Sequence, residues 1–280
     1  MSAESATTLA PPAPPAVTRE LPPAVNAARL LVSRATTFCL LELRRIAHDR
    51  TELYTRAIQP ALWLLVFGET FSRIRAIPTG GVRYLDFLAP GILAQSALFV
   101  SIFYGIQIIW ERDAGVLAKL MVTPTPRAAL VTGKAFAAGV RALIQALAVL
   151  VLAAILGVDI TPNPLRLLGA AVVLLLGAGF FCCLSITIAG MVLKRDRLMG
   201  IGQAITMPLF FASNALYPVA VMPGWLQAIN HVNPLSYEVE ALRGLLIGTP
   251  ARLPLDFAVT AGWAVLGVAC AAALLPRLTR

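Results

Sequence analysis

The chain has 280 residues, 58% hydrophobic and 13% charged, with a formal net charge of +9 at pH 7. Soluble domains carry about 25% charged residues, so this composition and a mean hydropathy of +0.79 exclude an ordinary water-soluble domain. The excess of 23 Lys and Arg over 14 Asp and Glu would suit a nucleic-acid partner, but the placement of those charges, given below, excludes it.

Residues 1–28 are rich in Ala, Pro and Thr, with the runs APPAPPAV and LPPAV. They hold no apolar core of a secretory leader and no early basic cluster. The stretch reads as a disordered cytosolic tail. Residues 29–52 are moderately amphipathic. Leu40, Leu43, Ile46 and Ala47 share one side, with Arg44, Arg45, His48 and Asp49 elsewhere. The reading is a helix lying on the inner membrane surface, with a solvated linker as the alternative.

Six apolar runs follow, at 57–71, 85–109, 135–156, 167–193, 201–220 and 257–275. About 20 apolar residues cross a hydrocarbon core of roughly 30 Å. None of the runs alternates with period 2, so all read as helices. The first is the shortest and has Glu69 near its end. With six spans and a cytosolic N-terminus, the basic residues divide unevenly. Arg19, Arg29, Arg34, Arg44, Arg45, Arg50, Arg56, Arg112, Lys119, Arg127, Lys134, Arg141, Lys194, Arg195, Arg197, Arg277 and Arg280 fall inside. Arg73, Arg75, Arg83, Arg166, Arg243 and Arg252 fall outside. This is the positive-inside distribution, with both termini cytosolic.

Between the second and third runs lies ERDAGVLAKLMVTPTPRAALVTGK, residues 111–134. Val116, Leu117, Leu120 and Met121 fall on one helical face, and Glu111, Arg112, Asp113 and Lys119 supply the wet side. Thr123-Pro124 ends that helix. Thr125 fits an N-cap and Pro126 the first position of the next helix. That helix can run to about Leu156, ~46 Å at 1.5 Å per residue, so its first turns project into the cytosol. A structured surface element at this point suits the docking of a soluble partner. Arg127, Lys134 and Arg141 recur every seven residues and form one stripe. They read either as anchors at the inner interface or as ionic contacts to a partner or to an entering substrate head group.

The fifth run contains Pro208, expected to kink it midway. Phe180, Phe181, Gln203, Phe210, Phe211 and Asn214 are the candidates for a path through the bundle. Helix packing or lipid contact is the other reading of the four Phe residues. Gly177, Gly179 and Gly190 read as sites of close helix approach. From the end of the fifth run, Pro218, Pro223 and Pro234 break residues 210–248 into pieces, two of which, 225–230 and 235–247, read as short helices. Both are too short to span, and they read as lying on or dipping into the outer leaflet. Trp225, Tyr217 and Tyr237 suit interfacial anchors. An outer loop without chemistry is the alternative. Arg243 is expected to avoid lipid tails, where a bare charge costs at least about 2.5 kcal/mol. Its expected partners are Glu238, Glu240 or carbonyls freed near Pro234.

No chemistry of bond-making is written into these residues. Cys39, Cys182, Cys183 and Cys270 form no CxxC or spaced framework. His48 and His231 are far apart, so no metal site is expected. Gly133-Lys134 is followed by Ala135, and position 128 is Ala, so there is no phosphate-binding G-x-x-x-x-G-K-[ST]. No soluble segment is long enough for a nucleotide-binding domain. A membrane-embedded lipid-modifying enzyme would need a nucleophile and base, a carboxylate pair or a metal cluster within the spans. The run interiors offer Gln95, Gln145, Gln203 and Asn214 instead. A secondary transporter with inverted repeats is the third class, and buried ion-coupling carboxylates are missing for it.

Two motifs carry a family resemblance. The pattern Glu111, Arg112, Gly115, Leu117, Leu120, Thr123, Pro124, Arg127, Gly133 and Lys134 resembles the first cytoplasmic loop of ABC-2 type exporter permeases. Asn214 and Pro218, then Met222, Pro223 and Trp225, then Asn233, Pro234, Leu235, Tyr237 and Arg243, resemble the outer motif of the same family. The subgroup most similar by these motifs is that of daunorubicin-resistance and nodulation lipo-oligosaccharide exporter permeases. The resemblance covers about residues 30–278. It implies an all-α integral membrane domain at 53–278 that is one half of a transporter, with residues 29–52 as the surface connecting helix. It assigns a coupling element at 111–122 (Glu111, Arg112, Gly115, Val116, Leu117, Leu120, Met121 and Pro124) and an outer re-entrant gate at 221–248 (Pro218, Pro223, Trp225, Asn233, Pro234, Tyr237 and Arg243). Implied partners are a separate ATPase subunit carrying the ATP and Mg, a second permease copy or paralogue, and an amphiphilic drug, lipid or lipid-linked glycan in a bacterial cell membrane.

Overall fold

The structure, a computed structural model, describes residues 58–74, 79, 81–117 and 127–278. The tail at 1–28, the surface helix at 29–52, and Leu120, Met121 and Pro124 lie outside the described residues. Among the described residues all regular structure is helical. Helix α1 covers 58–74 and includes a π stretch at Trp63–Gly68. Next come α2 (Tyr84–Ile106), α3 (Ile108–Asp113), α4 (Arg127–Ile155), α5 (Pro164–Val192) and α6 (Arg195–Phe211). The chain ends with α7 (Gly224–Val232), α8 (Pro234–Leu246) and α9 (Leu253–Leu274).

Among the described residues, four helical segments are long and apolar enough to cross a membrane: Tyr84–Asp113, Arg127–Ile155, Pro164–Val192 and Leu253–Leu278. They match the second, third, fourth and sixth apolar runs. Helix α5 is the hub, packing against α2, α4, α8 and α9. Small residues permit this. Gly105 of α2 lies against the Cys182 carbonyl and the Ser185 side chain, so a Cβ there would stand 2.6 Å from both. Ser185 then donates to the Ile102 carbonyl at 2.9 Å, satisfying a hydroxyl that has no water to turn to. Gly190 likewise lets α5 approach Leu274, whereas Gly179 meets only ordinary contacts.

Two expectations about length need correction. The 201–220 run is not one helix: α6 starts earlier, at Arg195, and stops at Phe211. Pro208 therefore sits in its last turn rather than midway. The termination has a clear cause. The last carbonyls of a helix have no partner within it, and here four consecutive ones are taken by side chains. Leu209 accepts from Asn233 at 2.7 Å, Phe210 from Ser213 at 2.7 Å, Phe211 from Tyr217, and Ala212 from Asn230 at 3.3 Å. The second correction concerns 111–121. Glu111, Arg112 and Asp113 end α3, and Gly115 adopts φ +70°. That left-handed conformation, cheap only for glycine, breaks the expected single helix.

The bundle has two ends. At one, which we call the Glu111 end, α3, the start of α4, residues 193–195 and Leu274 gather. At the other, the Gly157 end, Arg83 donates to the Gly157 carbonyl and Thr161 N–H to the Leu246 carbonyl.

Candidate functional site: a pinned turn and a helical hairpin

At the Glu111 end the turn after α2 is fastened from three directions. Lys134 of α4 reaches Glu111 at 2.6 Å. Arg112 donates to the Leu193 carbonyl at 2.9 Å and pairs with Asp113 at 2.8 Å. Arg195 lies 4.8 Å over the Trp110 ring. Leu193 closes α5 with φ 55°, so Arg112 reads a carbonyl that the helix end leaves free. The turn is thus tied to both α4 and the α5–α6 junction. Within it Val116 is exposed, while Leu117 is fully buried in the core. Val116 and Leu117 therefore do not share an exposed face: of the two, only Val116 is exposed.

The charge stripe divides in the same way. Arg127 is exposed. Lys134 and Arg141 are buried and flank the Tyr104 ring at 5.7 and 4.8 Å. Cation–π contact and the Glu111 pair hold charges that the bundle would otherwise reject. Lys134 and Arg141 are therefore engaged inside the protein.

The hairpin is built from α7 and α8. The chain leaves α6, passes Leu216, whose carbonyl accepts from Tyr84 at 3.0 Å near the Gly157 end, and turns through Val219–Val221. Helix α7 then runs back until Asn233 reaches Leu209 of α6. Helix α8 leaves again for the Gly157 end. Its apex is Asn233-Pro234. The Asn233 side chain accepts from Leu235 N–H at 3.0 Å, and Pro234, which lacks an N–H, takes the first helical position. Asn163-Pro164-Leu165 starts α5 by the same device. The two short helices expected from Pro218, Pro223 and Pro234 are thus present.

Arg243 is buried. It sits 3.7 Å over the Phe87 ring and donates to the carbonyls of Phe87 at 3.3 Å and Asn214 at 2.9 Å. Its hydrogen-bonding partners are carbonyls, as one expectation had it, but those of α2 and the α6–α7 connection rather than ones near Pro234. Tyr237 donates to His231 at 2.8 Å, and Trp225 is exposed. Sequence reasoning named Glu238 only as a candidate partner of Arg243 and missed its burial. Its carboxyl is fully buried, has no hydrogen-bond partner among the described residues, and packs against Gly177 of α5, where a Cβ would stand 2.2 Å from it. Gly177 makes room for a side chain as well as for a helix.

Between α6 and α7 lies an apolar groove of about 920 Å³, lined by Ile205, Pro208, Phe211, Trp225, Leu226 and Ile229 among others. Of the six path candidates only Phe211 lines it. Phe180 and Phe181 are buried, and Phe180 packs on Trp263 of α9 at 5.4 Å. Phe210 is buried against Trp63 of α1 at 5.7 Å. Gln203 is exposed and Asn214 is buried beside Arg243. The six are therefore not gathered round one cavity. The other reading, helix packing, describes Phe180, Phe181 and Phe210.

With this geometry in hand, comparison with known families is decisive. The family model described as ABC-2 type transporter matches residues 37–247. The chain belongs to the ABC-2 type transporter family. Among the relatives of this ABC-2 chain is the transport permease ycf38 of Cyanophora paradoxa, 32% identical over 195 residues, covering 69% of this chain and 67% of the relative. The daunorubicin resistance ABC transporter permease protein DrrB1 of Streptomyces coeruleorubidus is 28% identical, covering 78% and 76%. Nodulation protein J of Rhizobium meliloti is 26% identical, covering 70% and 75%. The ABC-2 chain is thus a multi-pass membrane permease of an ABC transporter of the export type.

Proposed function

We propose that this chain is the membrane subunit of an ATP-driven exporter that moves an amphiphile, a drug, lipid or lipid-linked glycan, out of the cytosol or inner leaflet. In this reading it has six spans, with α1 and α6 as the first and fifth, and both termini in the cytosol of a bacterial cell. It carries no ATPase site of its own. A separate subunit binds ATP and Mg and docks at the Glu111 end. A second permease copy or paralogue completes the path. The α7–α8 hairpin lies in the outer leaflet, with Trp225 at head-group depth, and closes the path from outside. The groove beside Phe211 takes the apolar part of the substrate. No nucleic acid takes part.

The observation that carries the coupling role is the triple fastening of the turn through Glu111, Arg112 and Trp110. A push on Val116 is transmitted to α4 and to the α5–α6 junction through these contacts. Val116→Asp places a charge on the exposed docking position. Membrane levels should stay normal, and the ATPase co-purified with the chain should fall at least fivefold. Unchanged co-purification overturns the docking assignment. Leu117→Asp cannot serve as that test, since it buries a charge in the chain's own core.

A further inference from the structure

A second cavity, of about 230 Å³, lies between α1, α2 and α4, apart from the groove beside Phe211. Its lining holds three carboxamides, Gln59, Gln95 and Gln145, with Ser96, and an apolar wall that includes Phe99 and Phe103. Gln95 and Gln145 are each 2% exposed. They sit in the middle of two largely apolar helices. The Nε2 of Gln145 has no hydrogen-bond partner among the described residues.

That arrangement is costly if nothing else enters. A buried donor left unsatisfied is destabilising, and Leu at these positions would pack the same helices without that cost. One water needs only about 10–15 Å³ of such space, so the cavity holds a group of several heavy atoms. We propose that it is a binding site for an uncharged head group, bearing hydroxyl, ether or carbonyl oxygens, on an aliphatic stem.

Each part of that chemistry follows from the lining. Carboxamides both donate and accept, which matches hydroxyls, and Gln145 Nε2 requires an acceptor. Among the described residues, no Lys, Arg, His, Asp or Glu lines the cavity. An ionic head group would lose its water with no counter-charge to replace it. Arg141, one turn from Gln145 on the same helix face, is engaged over the Tyr104 ring and is not among the lining residues. Phe99 and Phe103 stack with centroids 6.4 Å apart and planes 17° apart, giving a flat wall for a sugar ring or a stem. Gln59 is exposed and both Phe rings are half-buried, so the cavity opens sideways, and the stem can leave there. The site rests on its own geometry and not on the exporter reading, and it is read out without transport.

The test uses the full chain in phosphatidylcholine nanodiscs with an octyl glucoside carrying a diazirine in its alkyl stem. After illumination, adducts are mapped by peptide mass spectrometry. Saturable labelling of residues 95–103 is expected, suppressed at least tenfold by excess octyl glucoside but not by decanoate or decyltrimethylammonium. Gln95→Leu with Gln145→Leu should cut labelling about tenfold without lowering the melting temperature. Labelling that does not saturate, equal competition by the charged amphiphiles, or labelling unchanged in that variant overturns the proposal. The competition arm needs no variant, so it decides the matter even if the double substitution fails to fold. Monogalactosyl diacylglycerol built into the disc separates the two sources of such a head group. Displacement by it marks a bilayer lipid as occupant, and displacement by the single-chain glucoside alone marks an entering amphiphile.

Discussion

At the scale of single residues, the chain manages buried polarity by different means. Lys134 is paired, Arg243 is spread over two carbonyls and a ring, and Glu238 is only given space. The Lys134–Glu111 pair is the most testable. Its side chains are 5% and 31% exposed, so it lies between a buried pair, whose disruption costs about 3–5 kcal/mol, and a surface pair of about 0–1 kcal/mol. Lys134→Met should destabilise the chain by about 1–3 kcal/mol, in between those limits. A double-mutant cycle with Glu111→Gln, read by thermal unfolding in detergent, should give a coupling of about 1–2 kcal/mol. Simple additivity would show that the 2.6 Å contact contributes nothing to stability.

At the scale of elements, capping decides where helices start and stop. Asn163 and Asn233 perform the same local task, each accepting from the N–H two residues on. Only Asn233 also donates to another element, the Leu209 carbonyl. Asn163→Ala should therefore cost about 1 kcal/mol, the usual loss of an N-cap. Asn233→Ala should cost at least about 1 kcal/mol more, because it strips a buried carbonyl as well. Equal melting temperatures for the two variants would mean that the hairpin apex is not anchored through Asn233. The Asn-Pro start of α8 and the breaks at Pro218 and Pro223 were legible in the sequence, as were the long apolar runs, because these signals are local. The end of α6 was not. Its apolar pattern continues to Ala220, and it is cut short by Tyr217, Asn230 and Asn233, whose bonds to its carbonyls depend on the hairpin folding back. The burial of Leu117 was hidden for a similar reason: a helical-face argument assumes an unbroken helix, and Gly115 breaks it. Motif matching found Glu111 and Lys134, but spacing alone could not tell that they meet across 23 residues.

At the scale of the whole molecule, charge separates the two ends. Arg112, Arg127, Lys194, Arg195, Arg197 and Arg277 belong to elements at the Glu111 end, and Arg83, Arg166 and Arg252 to those at the Gly157 end. Short basic loops resist translocation, so the Glu111 end should face the cytosol. That orientation is required by the docking proposal and is independent of it in origin, since it comes from insertion rather than from coupling. Single cysteines in a background without the native four give the measurement. Pro162→Cys and Pro250→Cys, exposed at the Gly157 end, should react with a membrane-impermeant maleimide on intact cells. Asp113→Cys and Lys194→Cys, exposed at the Glu111 end, should react only after the cells are opened. The reverse pattern would place the ATPase docking turn outside the cell, where no ATP is supplied, and the exporter reading would fall with it. Labelling of both pairs on intact cells would mean that the helices between them do not separate two compartments, which is incompatible with the four long apolar helices acting as spans.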